Sequence, residues 1–177
     1  MRGLVVLWIV VFPFSAAVPV AAQVREVRQG ENRLKGITTV DVAADPVSAD
    51  AARCGIARVQ LQKTALETLA AAGLKATLSD KASSWFYTVF VTVSSVRSAG
   101  QCSSSVITEL TAQVQGIPEA DRQVPAEKLG ALLVGQLTLI RHNGIVSSRP
   151  AAHPGDVQSL LREHLTDIAR RVALANK

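Results

Sequence analysis

The chain has 177 residues, of which 48% are hydrophobic and 19% are charged, as is ordinary for one globular domain with a hydrophobic core. Its net charge is +5 at pH 7, but the basic residues are scattered and form no block of the kind found in nucleic-acid-binding tails. The composition therefore argues against nucleic acid as a partner. It predicts a solvated basic surface with weak attraction to anionic lipid or wall polymers.

The first 22 residues have the three parts of a secretory signal peptide. Arg2 is followed by an apolar run at 3–12, and small residues end the segment at Ala22. The run is shorter than the roughly 20 residues that span a bilayer. We therefore predict cleavage after Ala22, a periplasmic or secreted protein, and no transmembrane segment in the mature chain. Gln23 rather than a cysteine follows the cleavage point, so no lipid anchor is expected.

The mature chain is predicted to contain a flexible, polar lead-in followed by a single domain. Within this domain, β-branched and alternating apolar residues indicate strands, and two stretches have the spacing of amphipathic helices. The predicted segments are the lead-in at 23–36, the domain at 37–177, strands at 37–43, 85–96, 102–115 and 129–142, and helices at 59–72 and 157–175.

Glycine, asparagine and aspartate mark the expected ends of several elements. Gly73 is suited to the left-handed conformation after the first helix, and Leu74 is expected to fold back on the last turn. Asn143-Gly144 indicates a type I′ turn or a glycine bulge. Asp156 is a good N-cap for the final helix.

The order strand, helix, three strands, helix predicts an α+β fold. A short connection joins the strands at 85–96 and 102–115, so these two are expected to pair antiparallel. Each helix has a single apolar stripe and can therefore cover only one sheet face. The expected architecture is a two-layer sandwich, in which a mostly antiparallel sheet of about four strands carries two helices on one face.

Cys54 and Cys102 are the two cysteines of the chain. In an exported protein such a pair most simply forms one disulfide, here between the start of the first helix and the start of a strand. Closing a loop of this length stabilises the fold by about 4 kcal/mol in the chain-entropy model. The alternatives are a catalytic thiol or a metal site, but the pair has neither Cys-x-x-Cys spacing nor a nearby histidine.

Together these features resemble a group of small exported bacterial proteins without an assigned activity. The shared features are Cys54-Gly55 before a helix, Ala72-Gly73-Leu74 at its end, an aromatic and valine-rich strand with Tyr87-Thr88-Val89, Cys102 at the next strand, and an amphipathic C-terminal helix. The element order is also similar to that of envelope-assembly domains, such as activators of penicillin-binding proteins and the curli secretion lipoprotein. These resemblances imply an accessory role in the bacterial envelope and transfer no functional residue.

Candidate catalytic or metal-binding residues begin with the three histidines, His142, His153 and His164. No two of them have the i, i+4 spacing of a zinc-binding helix, so neither a metal site nor a cofactor is predicted. Glu163 and Asp167 are expected on the solvent face of the final helix, so no catalytic residue is assigned. The enzyme hypothesis that stays open is a small envelope hydrolase or ligand-binding enzyme, which uses His142 or His153 with a nearby Ser or Asp.

All Phe, Tyr and Trp residues beyond the predicted signal peptide lie between Trp85 and Phe90. Alternation places Trp85 and Tyr87 toward the helices, and Phe86 and Phe90 on the opposite, open face of the sheet. Either the lead-in or the loop after Gly116 covers these two phenylalanines, or they form a partner-binding surface. The favoured hypothesis is a non-enzymatic exported binding or assembly module, whose partner is an envelope protein or a second copy of the chain.

Overall fold

The computed structural model describes residues 33–79, 87–116 and 133–177, which form one five-stranded sheet with three helices packed on one face. The strand order across the sheet is β2-β1-β3-β4-β5. None of the described helices is long and apolar enough to cross a membrane. The elements are β1 at Thr39–Ala44, α1 at Ala49–Arg53, α2 at Arg58–Ala71, β2 at Lys75–Leu78, β3 at Tyr87–Ser98, β4 at Gln101–Gly116, β5 at Leu133–Ser148 and α3 at His153–Ala175.

Several predicted features lie outside the described residues. They are the signal peptide at 1–22, most of the lead-in at 23–36, Trp85 and Phe86 at the start of the aromatic strand, and the loop after Gly116.

The α+β class is confirmed, but the strand count and the element order predicted from the sequence are wrong. The described residues form five strands rather than about four, and the sheet is mixed, with the expected antiparallel pairing of β3 and β4. β1 runs parallel to both β2 and β3, whereas β4 runs antiparallel to β3 and to β5. The observed order is a strand, two helices, four strands and a helix.

β2 and α1 are the elements that periodicity does not reveal, because both are short. β2 has four residues at the edge of the sheet, and three of them are exposed, so no inward and outward alternation marks it. α1 has five residues, of which only Ala51 is buried. Together α1 and α2 return the chain from the end of β1 to its beginning, which is why the next strand enters parallel to β1.

The end of α2 forms as its glycine predicts. Gly73 has a φ of +86°, and its N–H donates to the carbonyl of Ala70 at 3.0 Å. The N–H of Leu74 donates to the carbonyl of Leu69 at 3.0 Å, which completes a Schellman motif. Leu74 is buried, so this turn fixes the point at which β2 begins.

The core lies between the sheet and the helices, and it follows the predicted alternation of β3 and β4. Valines at every second position of β1 and β3, with Val106 and Leu110 of β4, face the helices and are buried. Each fully buried aliphatic side chain contributes roughly 1.5–3 kcal/mol through the hydrophobic effect. The opposing helix residues are Leu61, Ala65 and Leu69 of α2 and Val157, Leu161, Leu165, Ile168 and Val172 of α3.

The turn predicted at Asn143-Gly144 is absent, because β5 continues through both residues. The irregularity of this strand pair lies elsewhere, between Leu110 and Thr111 of β4. Gly144 serves another purpose, since a Cβ atom there would lie 2.7 Å from Cδ2 of Leu160 on α3. A glycine at this position lets α3 approach the sheet closely.

The final helix begins earlier than predicted. Its N-cap is Ala152 rather than Asp156, and Asp156 lies in the first turn, where a negative charge suits the positive end of the helix dipole. The difference follows from Pro154, which occupies the first turn, where its missing N–H is not needed.

The disulfide joins Cys54, directly after α1, to Cys102 of β4, with Cα atoms 5.9 Å apart and both residues fully buried. Gly55 follows with a φ of +79°, and a Cβ atom on it would lie 2.8 Å from Cγ of Pro154. The corner between α1 and α2 is therefore held against β4 by a covalent bond and against α3 by close packing.

Removing this bond is expected to destabilise the protein without changing its secondary structure. The double variant Cys54→Ala/Cys102→Ala should lose about 2–5 kcal/mol in its free energy of unfolding, because the unfolded chain regains the freedom of the closed loop. Urea denaturation followed by circular dichroism measures the difference. Wild type under reducing conditions serves as the control and should match the variant; equal stability of the oxidised wild type and the variant would contradict the prediction.

Candidate functional site

The three histidines lie on the helix-covered side of the sheet, at two separate places. His153 is the first residue of α3, whereas His164 lies within the same helix and stacks on His142 of β5. The final helix, predicted at 157–175, therefore begins four residues earlier and includes His153. His153 is fully buried, and His164 is nearly so.

His153 occupies the centre of a chain of hydroxyl groups, of which two are buried and that of Ser148 is half-buried. Its Nε2 lies 2.7 Å from Oγ of Ser104, and its Nδ1 lies 2.9 Å from Oγ of Ser148. Oγ of Ser104 in turn lies 2.6 Å from Oγ of Ser95. A neutral imidazole satisfies both serines, because one ring nitrogen donates and the other accepts.

This network resembles a catalytic arrangement only in its residue types. Both ring nitrogens of His153 bond to serines, so no carboxylate orients the ring as it does in a catalytic triad. Burial lowers the pKa of His153, and the charge of Asp156 opposes that shift only in part. The geometry fits a structural role, in which a neutral ring connects α3 to β4 and β5.

His142, His164 and Asp167 form the second cluster, where β5 faces the middle of α3. The two imidazole rings are stacked with centroids 5.2 Å apart, and Nδ1 of His164 lies 3.3 Å from Oγ1 of Thr108. Nε2 of His142 lies 3.1 Å from Oδ2 of Asp167, but the nitrogen is not aligned for a hydrogen bond. The two groups are therefore close together without a hydrogen bond between them.

Asp167 is bound mainly by two arginines of its own helix. Arg170 donates a hydrogen bond to Oδ1, and Nε of Arg171 donates to Oδ2 at 2.7 Å. The hydrogen bond from Arg170 is the largest cause of the lowered pKa of Asp167, and the charge of Arg171 adds to it against the effect of burial. The sequence-based placement of Asp167 on the solvent face is wrong in part, because the carboxylate is turned toward β5.

Burial also lowers the pKa of His164, and the charge of the neighbouring His142 adds to that effect. Glu163 acts in the opposite direction. Two stacked imidazoles cannot both be protonated cheaply at this distance, so the neutral form of His164 is favoured.

A cavity of about 460 Å³ opens beside this cluster. His142, Asp167 and Thr166 are among its lining residues, so a base, a carboxylate and a hydroxyl group are brought together. Sequence reasoning missed this convergence, although Asp167 follows His164 by three positions and must share its helix face. Among the described residues, no group of three or more His, Cys, Asp or Glu side chains is arranged to hold a metal ion.

The open face of the sheet is the third candidate, and it carries Phe90. Phe90, Ile107 and Ile145 lie on this face and form a diagonal stripe across β3, β4 and β5. Phe90 is half-buried, whereas Ile145 has 78% of its surface exposed. Phe86, the second predicted member of this surface, lies outside the described residues.

The lowered pKa values of His153 and His164 predict that the protein loses stability in mild acid. Both rings are favoured as neutral in the folded state, whereas in the unfolded state they take up protons near the ordinary pKa of 6.5. Between these values the unfolded state binds more protons, so the stabilisation is complete above the ordinary pKa and is lost as pH falls through the folded pKa. The Asp167 carboxylate adds a loss only at lower pH, below its ordinary value of 3.8.

Urea denaturation at about pH 7.5 and pH 5 measures this effect, because histidine titrates within that range. The free energy of unfolding should fall between the two, and the double variant His153→Asn/His164→Asn should show a flatter pH dependence at lower overall stability. Wild-type stability that stays constant or rises toward pH 5 would refute the assignment.

No protein-family model and no curated protein matches the chain. Among solved structures, the chain is similar to the PelC dodecamer from Paraburkholderia phytofirmans, with 13% identity over 76% of this chain and 87% of that chain and a TM-score of 0.38. A single-substitution variant of the same dodecamer gives 14% identity over 77% of this chain and 86% of that chain, with a TM-score of 0.37. Similarity at this level assigns the chain to no family.

Proposed function

We propose that this chain is an exported, non-enzymatic binding module of the bacterial envelope that assembles with copies of itself. The observation that carries the proposal is β5, a 16-residue strand at the edge of the sheet. The basic and apolar N-terminal segment and the disulfide support export, because disulfides persist in oxidising compartments outside the cytosol.

The outer edge of β5 is suited to pairing with another strand. β5 pairs with β4 on one side, and no described strand pairs with its other side. Backbone N–H and C=O groups along such an edge form a template for a further strand. Natural edge strands are commonly short or protected by lysine or proline, whereas β5 is long and contains neither residue.

A second copy fits this edge better than an unrelated strand because of symmetry. Two β5 strands related by a twofold axis perpendicular to the sheet run antiparallel and present the same faces. The helices of both copies then lie on one side, and the two open faces become continuous. The stripe of Phe90, Ile107 and Ile145 is thereby extended across the assembly.

The charges near the middle of β5 are compatible with such pairing. Arg141 lies close to the centre of the strand, where two copies would approach each other if the strands overlap fully. Its guanidinium group is 3.3 Å from the carboxylate of Glu109 on β4. This ion pair reduces the repulsion that two arginines would otherwise create at the axis.

Substitution of Ile145 tests the edge directly. Ile145→Lys places a charge on the exposed side of β5 and is expected to weaken self-association at least about tenfold, since edge lysines oppose strand pairing. Sedimentation velocity of the protein purified after expression of its full coding sequence measures the association constant.

Val96→Lys is the matched control for this substitution. Val96 is also an exposed β-branched residue on the open face, with 64% of its surface accessible, but it lies on the interior strand β3. Self-association of this variant should equal that of wild type. A wild-type protein that stays monomeric, or an equal loss in both variants, contradicts pairing through β5.

The partner-binding role predicted for Phe86 and Phe90 remains a prediction within this proposal. Phe90 belongs to the stripe that pairing makes continuous, but it lies two strands away from the proposed interface. It is therefore available to a further envelope partner after the copies have assembled.

The cavity beside His142 favours a second candidate, a small hydrolase of the envelope. His142 lies 3.1 Å from Asp167, so an imidazole that could act as a general base is held beside a carboxylate at the wall of this cavity. Hydrolysis of p-nitrophenyl acetate by the purified protein tests this candidate. His142→Gln should reduce the rate at least about 100-fold, the lower end of what a general base contributes. A wild-type rate no higher than that of buffer, or an undiminished rate in the variant, excludes it.

A further inference from the structure

A second, larger cavity lies beside β1 and β2, at the opposite end of the sheet from β5. Its volume is about 730 Å³, and its lining includes Thr39 and Asp41 of β1, Lys75 and Thr77 of β2, and Tyr87 at the start of β3. Neither the stacked histidines nor the proposed β5 interface contributes to it. Its chemistry is therefore independent of the function proposed above.

Asp41 is the unusual residue of this cavity. It lies on the face of β1 that points away from the helices, yet only 4% of its surface is exposed. Oγ1 of Thr77 donates a hydrogen bond to Oδ1 at 2.6 Å, whereas the buried Oδ2 has no hydrogen-bond partner. Burying a carboxylate with one oxygen unpaired is costly, because water no longer solvates that charge.

A purely structural role does not account for this carboxylate. The hydrogen bond from Thr77 needs one acceptor oxygen, which asparagine would also supply without a buried charge. The unpaired Oδ2 lacks a donor, and a cation is the strongest donor that a ligand can offer.

Lys75 supplies the opposite charge in the same cavity. Lys75 and Thr77 are two positions apart on β2, so their side chains share a face and are separated by roughly 7 Å along the strand. Thr77 is the register partner of Asp41, which brings the ammonium group of the flexible Lys75 side chain within reach of a ligand held at Oδ2. Tyr87, which is half-buried, adds aromatic surface to the lining.

We infer that this cavity binds a small zwitterion of the amino-acid type. Oδ2 of Asp41 has almost no accessible surface in the ligand-free protein, so the exposed side chains of Thr77 and Lys75 shift to let the ligand's ammonium group donate to it. The ligand's carboxylate then lies against the ammonium group of Lys75. The volume is large enough for an apolar side chain next to Tyr87. Binding supplies the missing donor and neutralises the buried charge.

L-leucine and two analogues, each of which lacks one of its charged groups, test the assignment. L-leucine carries both charges, isopentylamine lacks the carboxylate, and 4-methylpentanoate lacks the ammonium group. Isothermal titration calorimetry with wild-type protein should show saturable binding of L-leucine with a Kd below about 10 mM, and at least tenfold weaker binding of the other two. No saturable binding of L-leucine up to that concentration overturns the inference, as does equal binding of isopentylamine.

Two variants identify the residues responsible. Asp41→Asn keeps an acceptor for Thr77 and removes the charge, and Lys75→Met removes the cation and keeps the length of the side chain. Each should weaken binding of L-leucine at least about tenfold, which corresponds to the loss of one charge-assisted contact. Unchanged affinity in Asp41→Asn overturns the assignment.

The stability of the ligand-free protein shows whether Asp41 has a ligand-binding role or a structural role. Asp41→Asn should unfold at the same or a higher urea concentration than wild type, because it removes an unpaired buried charge. A lower midpoint with unchanged L-leucine binding would show that Asp41 acts only in folding. Self-association through β5 should be equal in both proteins, so failure of either proposal is recognised separately.

Discussion

The bond between Cys54 and Cys102 is the constraint on which the arrangement of the layers depends. It fixes the corner between α1 and α2 to the beginning of β4, while Gly55 at the same corner contacts Pro154 of α3. All helices must therefore cover the same side of the sheet, and the core forms between them and the alternating valines of β1 and β3. Near this corner the interior is polar, and His153 with its serine partners takes the place of aliphatic side chains. A network in which every polar atom has a hydrogen-bond partner fixes the position of α3 more narrowly than aliphatic contacts do, because hydrogen bonds depend on direction as well as distance.

The sequence reveals the parts of this fold whose signal is local. Alternation in β3 and β4 correctly places Val89, Val91, Val93 and Val106 toward the helices, and Gly73 with Leu74 predicts the end of α2. The parallel pairing of β1 with β2 and β3 depends instead on where the chain returns after α2, which no local pattern encodes. Asn143-Gly144 shows the converse error, since a strong turn signal is overridden when β5 pairs with β4 along its whole length and α3 needs the space above Gly144. At such positions tertiary packing, and not the local turn or strand propensity, determines the backbone conformation.

The sequence does not predict the candidate sites, for a related reason. His142 and Asp167 are 3.1 Å apart but belong to different elements, so only the packing of α3 on β5 brings them together. Asp41 lies in a run of β-branched residues that predicts a strand, and its charge gives no sign that the carboxylate is buried. Exposure and pairing at the sheet edges likewise follow from strand order. The sequence shows which polar residue types are present. Only the fold shows which of their atoms lack a hydrogen-bond partner.

Unpaired buried atoms therefore distinguish between structural and functional polar groups in this protein. Among the described residues, two buried side-chain atoms have no hydrogen-bond partner, Nε2 of His142 and Oδ2 of Asp41. The first lies 3.1 Å from the carboxylate of Asp167, so a polar group is close to it. The second has no hydrogen-bond partner, although the same fold bonds both ring nitrogens of His153 to serines. This fold supplies hydrogen-bond partners for both nitrogens of a buried imidazole. A second partner for the carboxylate of Asp41, or a neutral residue in its place, would be equally compatible with it. The unpaired Oδ2 of Asp41 is consequently the atom that the proposed ammonium ligand would satisfy.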